Sequence, residues 1–154
     1  MSVTLPKGFH AYVANIGIKD STHDLTVVAA DATSPASGVF TRSSFAGPSV
    51  VLSRQHVAAL RARAMVVISK NANVATGDEG LANAGEVVAG VAAALGCQAD
   101  EVLIASTGVI GRQYPMDRVR SGLRAIPSAL PLTDANAVAT ANAMTLKQLV
   151  QRTS

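Results

Sequence analysis

Apolar residues recur along this chain at two periods, about two and about three and a half residues. Short apolar stretches, AYVANIGI (11–18), DLTVVAA (24–30), SGVFTR (37–42) and SVVLS (49–53), predict strands. Pro, Gly, Ser and Asp stand between them, as antiparallel connections require. RQHVAALRAR (54–63) has helical spacing and predicts a short amphipathic helix. It leads into AMVVISK (64–70), whose continuous apolar run suits a strand buried on both faces.

After the loop NANVATG, a helix is expected from about Asp78, read as its N-cap. Leu81, Ala84, Val87, Val88, Val91 and Leu95 fall on one stripe, and Gly96 closes the helix. DEVLIAS (100–106) predicts a second buried strand, which breaks at Ser106-Thr107-Gly108. Pro115 opens a helix over 115–125, and a last helix is expected from about Thr133 to Gln151. No internal repeat is visible. Strands and helices around a β layer predict an α/β, or α+β, fold in a single domain spanning 1–154.

Composition sharpens this picture. Apolar residues make up 49% of the 154, aromatics only 3%, and tryptophan is absent, so the core rests on Val, Ala, Leu and Ile. Charged residues are 15%, well below the usual quarter, which implies surface covered by another chain or segment. The net charge is +3, and no Asp or Glu occurs between Ala32 and Gly77, where Arg42, Arg54, Arg61, Arg63 and Lys70 all fall. Those cations are either ordinary solvated side chains or a face turned toward anionic groups. Nucleic acid is not expected, because no basic run is interleaved with stacking aromatics. Cys97 is single, which rules out an intrachain disulfide and fits a reducing, cytoplasmic setting. The start of the chain lacks a signal peptide's apolar segment, and the longest uncharged apolar stretch (87–97) is too short to cross a bilayer.

No nucleotide-binding, zinc-protease or serine-hydrolase motif is present, and His10, His23 and His56 lack metal-ligand spacing. Two small-residue loops at strand exits remain, NANVATGDEG (71–80) and STGVIG (106–111). Glycine there permits either a plain connector turn or close backbone approach, with N–H groups aimed at developing negative charge. A phosphate cradle is a third option: Arg112 favours it, and the missing P-loop lysine counts against it.

SGVFTRSSFAGPSVVLSR (37–54), KNANVATGDEG (70–80) and IASTGVIGRQYPM (104–116) together resemble, in order and spacing, the ornithine acetyltransferase family. These are the bifunctional glutamate N-acetyltransferase/amino-acid acetyltransferases of arginine biosynthesis. GRQYPM is similar to the members tied to clavulanic acid clusters. The resemblance implies an N-terminal-nucleophile-like layered sandwich, of which this chain would be the α-chain half. It implies acetyl transfer from N-acetylornithine to glutamate without a cofactor or metal, through a threonine at the start of a separate β chain, in an α2β2-like assembly. Thr107 and Gly108 match the family's oxyanion-hole pair, and Thr145 matches a substrate-contacting threonine. The resemblance runs from about Gly8 to Met116, and 126–154, without the family's nucleophile, reads as a diverged tail, a truncation or a change of reading frame. The chain alone is therefore expected to be inactive. A non-catalytic remnant or binding module that keeps the scaffold is the alternative.

Overall fold

The computed structural model describes residues 5–19 and 21–131. Four strands, β1 (Phe9–Ala14), β2 (Leu25–Pro35), β3 (Arg61–Ile68) and β4 (Val102–Ser106), form one sheet in the order β1-β2-β3-β4. The first three pair antiparallel, while β3 and β4 pair parallel. A parallel pair needs a long crossover. Helix α2 (Gly77–Leu95) provides it, while α1 (Pro48–Val57) precedes β3 and α3 (Met116–Arg124) follows β4. The fold is thus the mixed α/β arrangement expected.

Strand side chains alternate between faces, so the register sets rows across the sheet. Tyr12, Val27, Val66 and Ile104 form one row, with Leu25, Ile68 and Ser106 alongside it. Onto this face α2 brings Ala84, Val87, Val88, Val91 and Ala92, and α3 brings Val119 and Leu123. Leu25, Val27, Val66, Ile68, Val87, Val91, Val102 and Val119 are fully buried there. The opposite row reads Ala11, Val28, Met65 and Leu103.

Several expectations need correction. Residues 49–53 are helical, not a strand, because α1 begins at Pro48, whose fixed φ suits a first helical position. The helix expected over 54–63 is only the end of α1, and β3 already starts at Arg61. Residues 37–42 belong to no strand. Thr76, not Asp78, is the N-cap of α2; Asp78 and Glu79 lie in its first turn, where negative charge suits the helix dipole. Leu81 leaves the buried stripe and is 38% exposed, and Met65 on β3 is 42% exposed, so that strand is buried on both faces only over Val66–Ile68. Gly96 closes α2 in the left-handed conformation as expected, and burial pushes the Cys97 thiol upward. The last expected helix lies outside the described residues.

Candidate functional site

β4 does not end in a simple connector. Thr107 extends its pairing, donating its backbone N–H to the Ile68 carbonyl at 3.0 Å, and Val109 donates to the Lys70 carbonyl at 3.2 Å. Gly108 between them has φ 135°, and a Cβ there would lie 2.2 Å from the Lys70 carbonyl carbon and 2.5 Å from the Asn71 nitrogen. Only glycine fits a backbone pressed this closely on another. Among the described residues, nothing accepts a hydrogen bond from the Gly108 N–H. Ala72 donates to Val109 at 3.0 Å and Gly111 to Val74 at 2.8 Å, so the loops 70–77 and 107–113 are laced together.

The first of these loops is strained. Lys70, Asn73 and Ala75 have φ of 75°, 48° and 58°, the left-handed region that non-glycine residues avoid at a cost of roughly 1–3 kcal/mol each. A buried amide network holds them there. Asn73, fully buried, accepts from the Thr76 hydroxyl at 2.8 Å and donates to the Gly80 carbonyl at 2.9 Å, while its N–H reaches Asn71 Oδ1 at 2.8 Å. Asn71 donates to the Gln113 carbonyl at 3.0 Å, and Gln113 donates to the Thr76 carbonyl at 2.8 Å. Buried polar groups that satisfy one another in this way fix one backbone geometry.

Beneath the turn, Ser49 of α1, Ser106 of β4 and Tyr114 share their hydroxyls, with Ser49 and Ser106 2.7 Å apart and Tyr114 bonded to both. Burial pushes the Tyr114 phenol up, against the opposing hydrogen bonds of Ser106, Ser49 and Asn73, so it stays protonated at neutral pH. A cleft of about 380 Å³ opens beside the turn, lined by Ile18, Lys19, Lys70, Asn71, Val109 and Arg112 among others. Asp24, nearly fully buried, accepts from the Ile16 and Ile18 N–H groups at 2.7 Å each and so fixes the Ile18–Lys19 rim.

The structure therefore brings Thr107 and Gly108 together with Lys70 and Arg112 around one turn and cleft, while Thr145 lies outside the described residues. His10 bonds Asp31 on β2, and His56 bonds the Val102 carbonyl at the far edge of the sheet. The supporting Asn71, Asn73, Gln113, Tyr114, Ser49 and Ser106 were not anticipated from sequence. Their signal was the run of uncharged polar residues flanking both glycine loops.

The fold and site define a layered α/β protein that presents a backbone N–H at a glycine turn closing a buried strand. The chain belongs to the ArgJ family, whose sequence profile matches residues 10–154. It is 47% identical over 142 residues to the arginine biosynthesis bifunctional protein ArgJ of Rhodococcoides fascians, covering 92% of this chain and 35% of that protein. It is 55% identical over 122 residues to the glutamate N-acetyltransferase Oat2 of Streptomyces clavuligerus, covering 79% of this chain and 31% of that one. Among solved structures, it matches the ornithine acetyltransferase of Mycobacterium tuberculosis, complexed with ornithine, with a TM-score of 0.84 and 33% identity, covering 91% of this chain and 77% of that chain. The chain spans about a third of the length of the curated relatives it matches. No helix among the described residues is long and apolar enough to cross a membrane.

Proposed function

We propose that this chain supplies the oxyanion hole and part of the substrate cleft for cytoplasmic acetyl transfer from N-acetylornithine to glutamate in arginine biosynthesis. The nucleophilic threonine is carried by a β chain, in an α2β2-like assembly, and no cofactor takes part. The observation that carries this reading is Gly108: its N–H faces no described acceptor, at a turn that strain and buried amides hold in one geometry. The names of the R. fascians, S. clavuligerus and M. tuberculosis relatives support the chemistry.

In this scheme the threonine oxygen attacks the acetyl carbonyl of N-acetylornithine, and its proton passes to the departing ornithine amine. The amine of glutamate then attacks the acetyl ester, and the threonine oxygen recovers a proton. Each step places a negative oxygen at the turn. The Thr107 N–H is engaged with Ile68. The oxyanion pair is assigned to the Thr107 hydroxyl and the Gly108 N–H. Thr145 joins the substrate contacts.

The test is reconstitution of the chain with the β-chain segment of a relative, following N-acetylglutamate formation. The chain alone should give no turnover, and the pair should turn over. Thr107→Val should lower kcat by about 10²–10³ with an unchanged thermal midpoint. Turnover by the chain alone, or a fully active Thr107→Val pair, defeats the assignment. A properly assembled but inert pair leaves the non-catalytic scaffold as the reading.

A further inference from the structure

We propose that a cavity at the end of the sheet opposite the Gly108 turn binds a short aliphatic monocarboxylate, with Arg63 and His10 as its hydrogen-bond donors. The acetyl-transfer reading does not require this site, and the two stand or fall independently.

The first observation is a pair of orphaned atoms on one cavity. His10 of β1, Ala29 and Asp31 of β2, Arg63 of β3, Leu95 of α2 and Leu130 are among the residues lining a space of about 180 Å³. Arg63 Nη1 and His10 Nδ1 are both buried, and neither finds a hydrogen-bond partner. They are the only buried side-chain atoms so placed among the described residues. Buried polar atoms nearly always have a partner, so two orphans on one cavity point to a ligand that supplies it.

Charge selects the ligand. Arg63 forms no ion pair with any described residue. The acids at this end of the sheet are engaged elsewhere: Asp31 Oδ1 lies 2.5 Å from His10 Nε2, and Arg61 holds Asp100 at 3.3 Å and Glu101 at 2.7 Å. The Cys97 thiol, which feels Arg63, is pushed by burial toward its neutral form and offers no countercharge. A water would satisfy a hydrogen bond at Nη1 and leave the guanidinium charge unpaired. The Asp31 carboxylate only accepts, so the proton between them sits on His10 Nε2. With a second anion on its other side the ring is imidazolium, and Nδ1 donates as well. Two cations against the one Asp31 carboxylate leave room for one negative charge. A carboxylate matches the arginine fork, whereas a dianion would face Asp31 with like charge. Ala29, Leu95 and Leu130 give apolar wall for a short alkyl chain, and the volume, below that of drug-sized sites, suits a ligand of a few carbons.

The test is titration of the full 154-residue chain with butyrate, acetate, inorganic phosphate and chloride at constant ionic strength, by calorimetry and amide-shift NMR. Butyrate should bind, and acetate, two methylenes shorter, about tenfold more weakly. Phosphate and chloride should each bind at least about tenfold more weakly than butyrate, lacking either the single charge or the alkyl chain. The butyrate-induced shifts should centre on Ala30 and Leu130, and not on Gly108 and Val109. Arg63→Gln and His10→Phe should each weaken butyrate about tenfold. Without ligand, Arg63→Gln should not lower the thermal midpoint, because it removes an unpaired buried charge. Absence of butyrate binding overturns the proposal and leaves the cavity to solvent. Shifts centred on the Gly108 turn overturn it too, as does an Arg63→Gln chain that binds normally. Phosphate or chloride binding as tightly as butyrate replaces it with an unselective anion site. Should Arg63→Gln fail to fold, the butyrate-to-acetate ratio and the shift map of the native chain still decide.

Discussion

One face of the sheet carries Tyr12, Val27, Val66 and Ile104, and α2 and α3 close over it; the other carries Ala11, Val28, Met65 and Leu103, none of which belongs to that core cluster. The two rows are almost equally apolar. They differ in what packs on them: Val66 is fully buried, while its neighbour Met65 is 42% exposed. A sheet that is apolar on both faces is characteristic of proteins that cover both. The low charged fraction points the same way, as do the exposed Val109 (42%) and Ile110 (57%) just past the turn. The first face carries the core cluster, and the second, though buried at Ala11, Thr26 and Val67, opens to solvent at Met65.

The largest expected effect separates the faces directly. Ile68→Ala, on the covered face, should cost about 2–5 kcal/mol in urea unfolding, through lost transfer energy and the cavity left behind. Met65→Ala should stay within about 0.5 kcal/mol. Met65→Glu should likewise spare the isolated chain's stability, yet reduce its self-association in light scattering and its capture of a β chain. If Met65→Ala costs as much as Ile68→Ala, the second face is already a core and the contrast collapses.

The same contrast explains what could be read in advance. The α2 stripe was legible because Ala84, Val87, Val88 and Val91 repeat at helical spacing against a sheet that buries them. The apolar run of β3 was legible as a strand, but not its half-exposure, because a sequence shows apolarity and not what covers it. Residues 49–53 were misread because Val50, Val51 and Leu52 suit a strand locally. Tertiary contacts override that preference: Ser49 and Ser53, four apart on a helix, reach Ser106 and Ile104 of β4. At the candidate site, Thr107 and Gly108 stood out by motif. The asparagine network that strains residues 70–77 was invisible, because it closes between loops more than thirty residues apart.

A smaller effect lies at the edge of the sheet. β4 is an edge strand, and such edges expose unpaired backbone groups. Ser53 masks this one: its hydroxyl donates to the Ile104 carbonyl at 2.7 Å and accepts the Ile104 N–H at 2.8 Å. Ser53→Ala leaves both buried groups without a partner and should cost about 1–3 kcal/mol. Amide exchange at Ile104 should accelerate beyond what global destabilisation explains. An unchanged exchange rate there would mean that the edge is protected by something other than α1.

The smallest effect belongs to the end of the sheet opposite the turn. Glu101, only 7% exposed, accepts the Gln98 N–H at 3.0 Å, the Thr33 hydroxyl at 2.7 Å and the Arg61 guanidinium at 2.7 Å, joining β2, β3 and the start of β4. The Gln98 N–H, then Thr33, with Arg61 adding to them, hold its carboxyl below the usual glutamate range despite desolvation. A carboxyl depressed in the folded state favours folding fully above its unfolded value, about 4.3, and that contribution is lost as pH falls through the folded value. Glu101→Gln cannot lose it. The midpoint difference between native chain and variant should be constant above about pH 5 and shrink steadily as pH falls through the acid range. Ile68→Ala should shift the midpoint with no such pH dependence, since it removes no titratable group. A Glu101→Gln difference that stays flat down to acid pH would show that the clip acts by shape alone, and that the two ends of the sheet do not differ in how charge supports them.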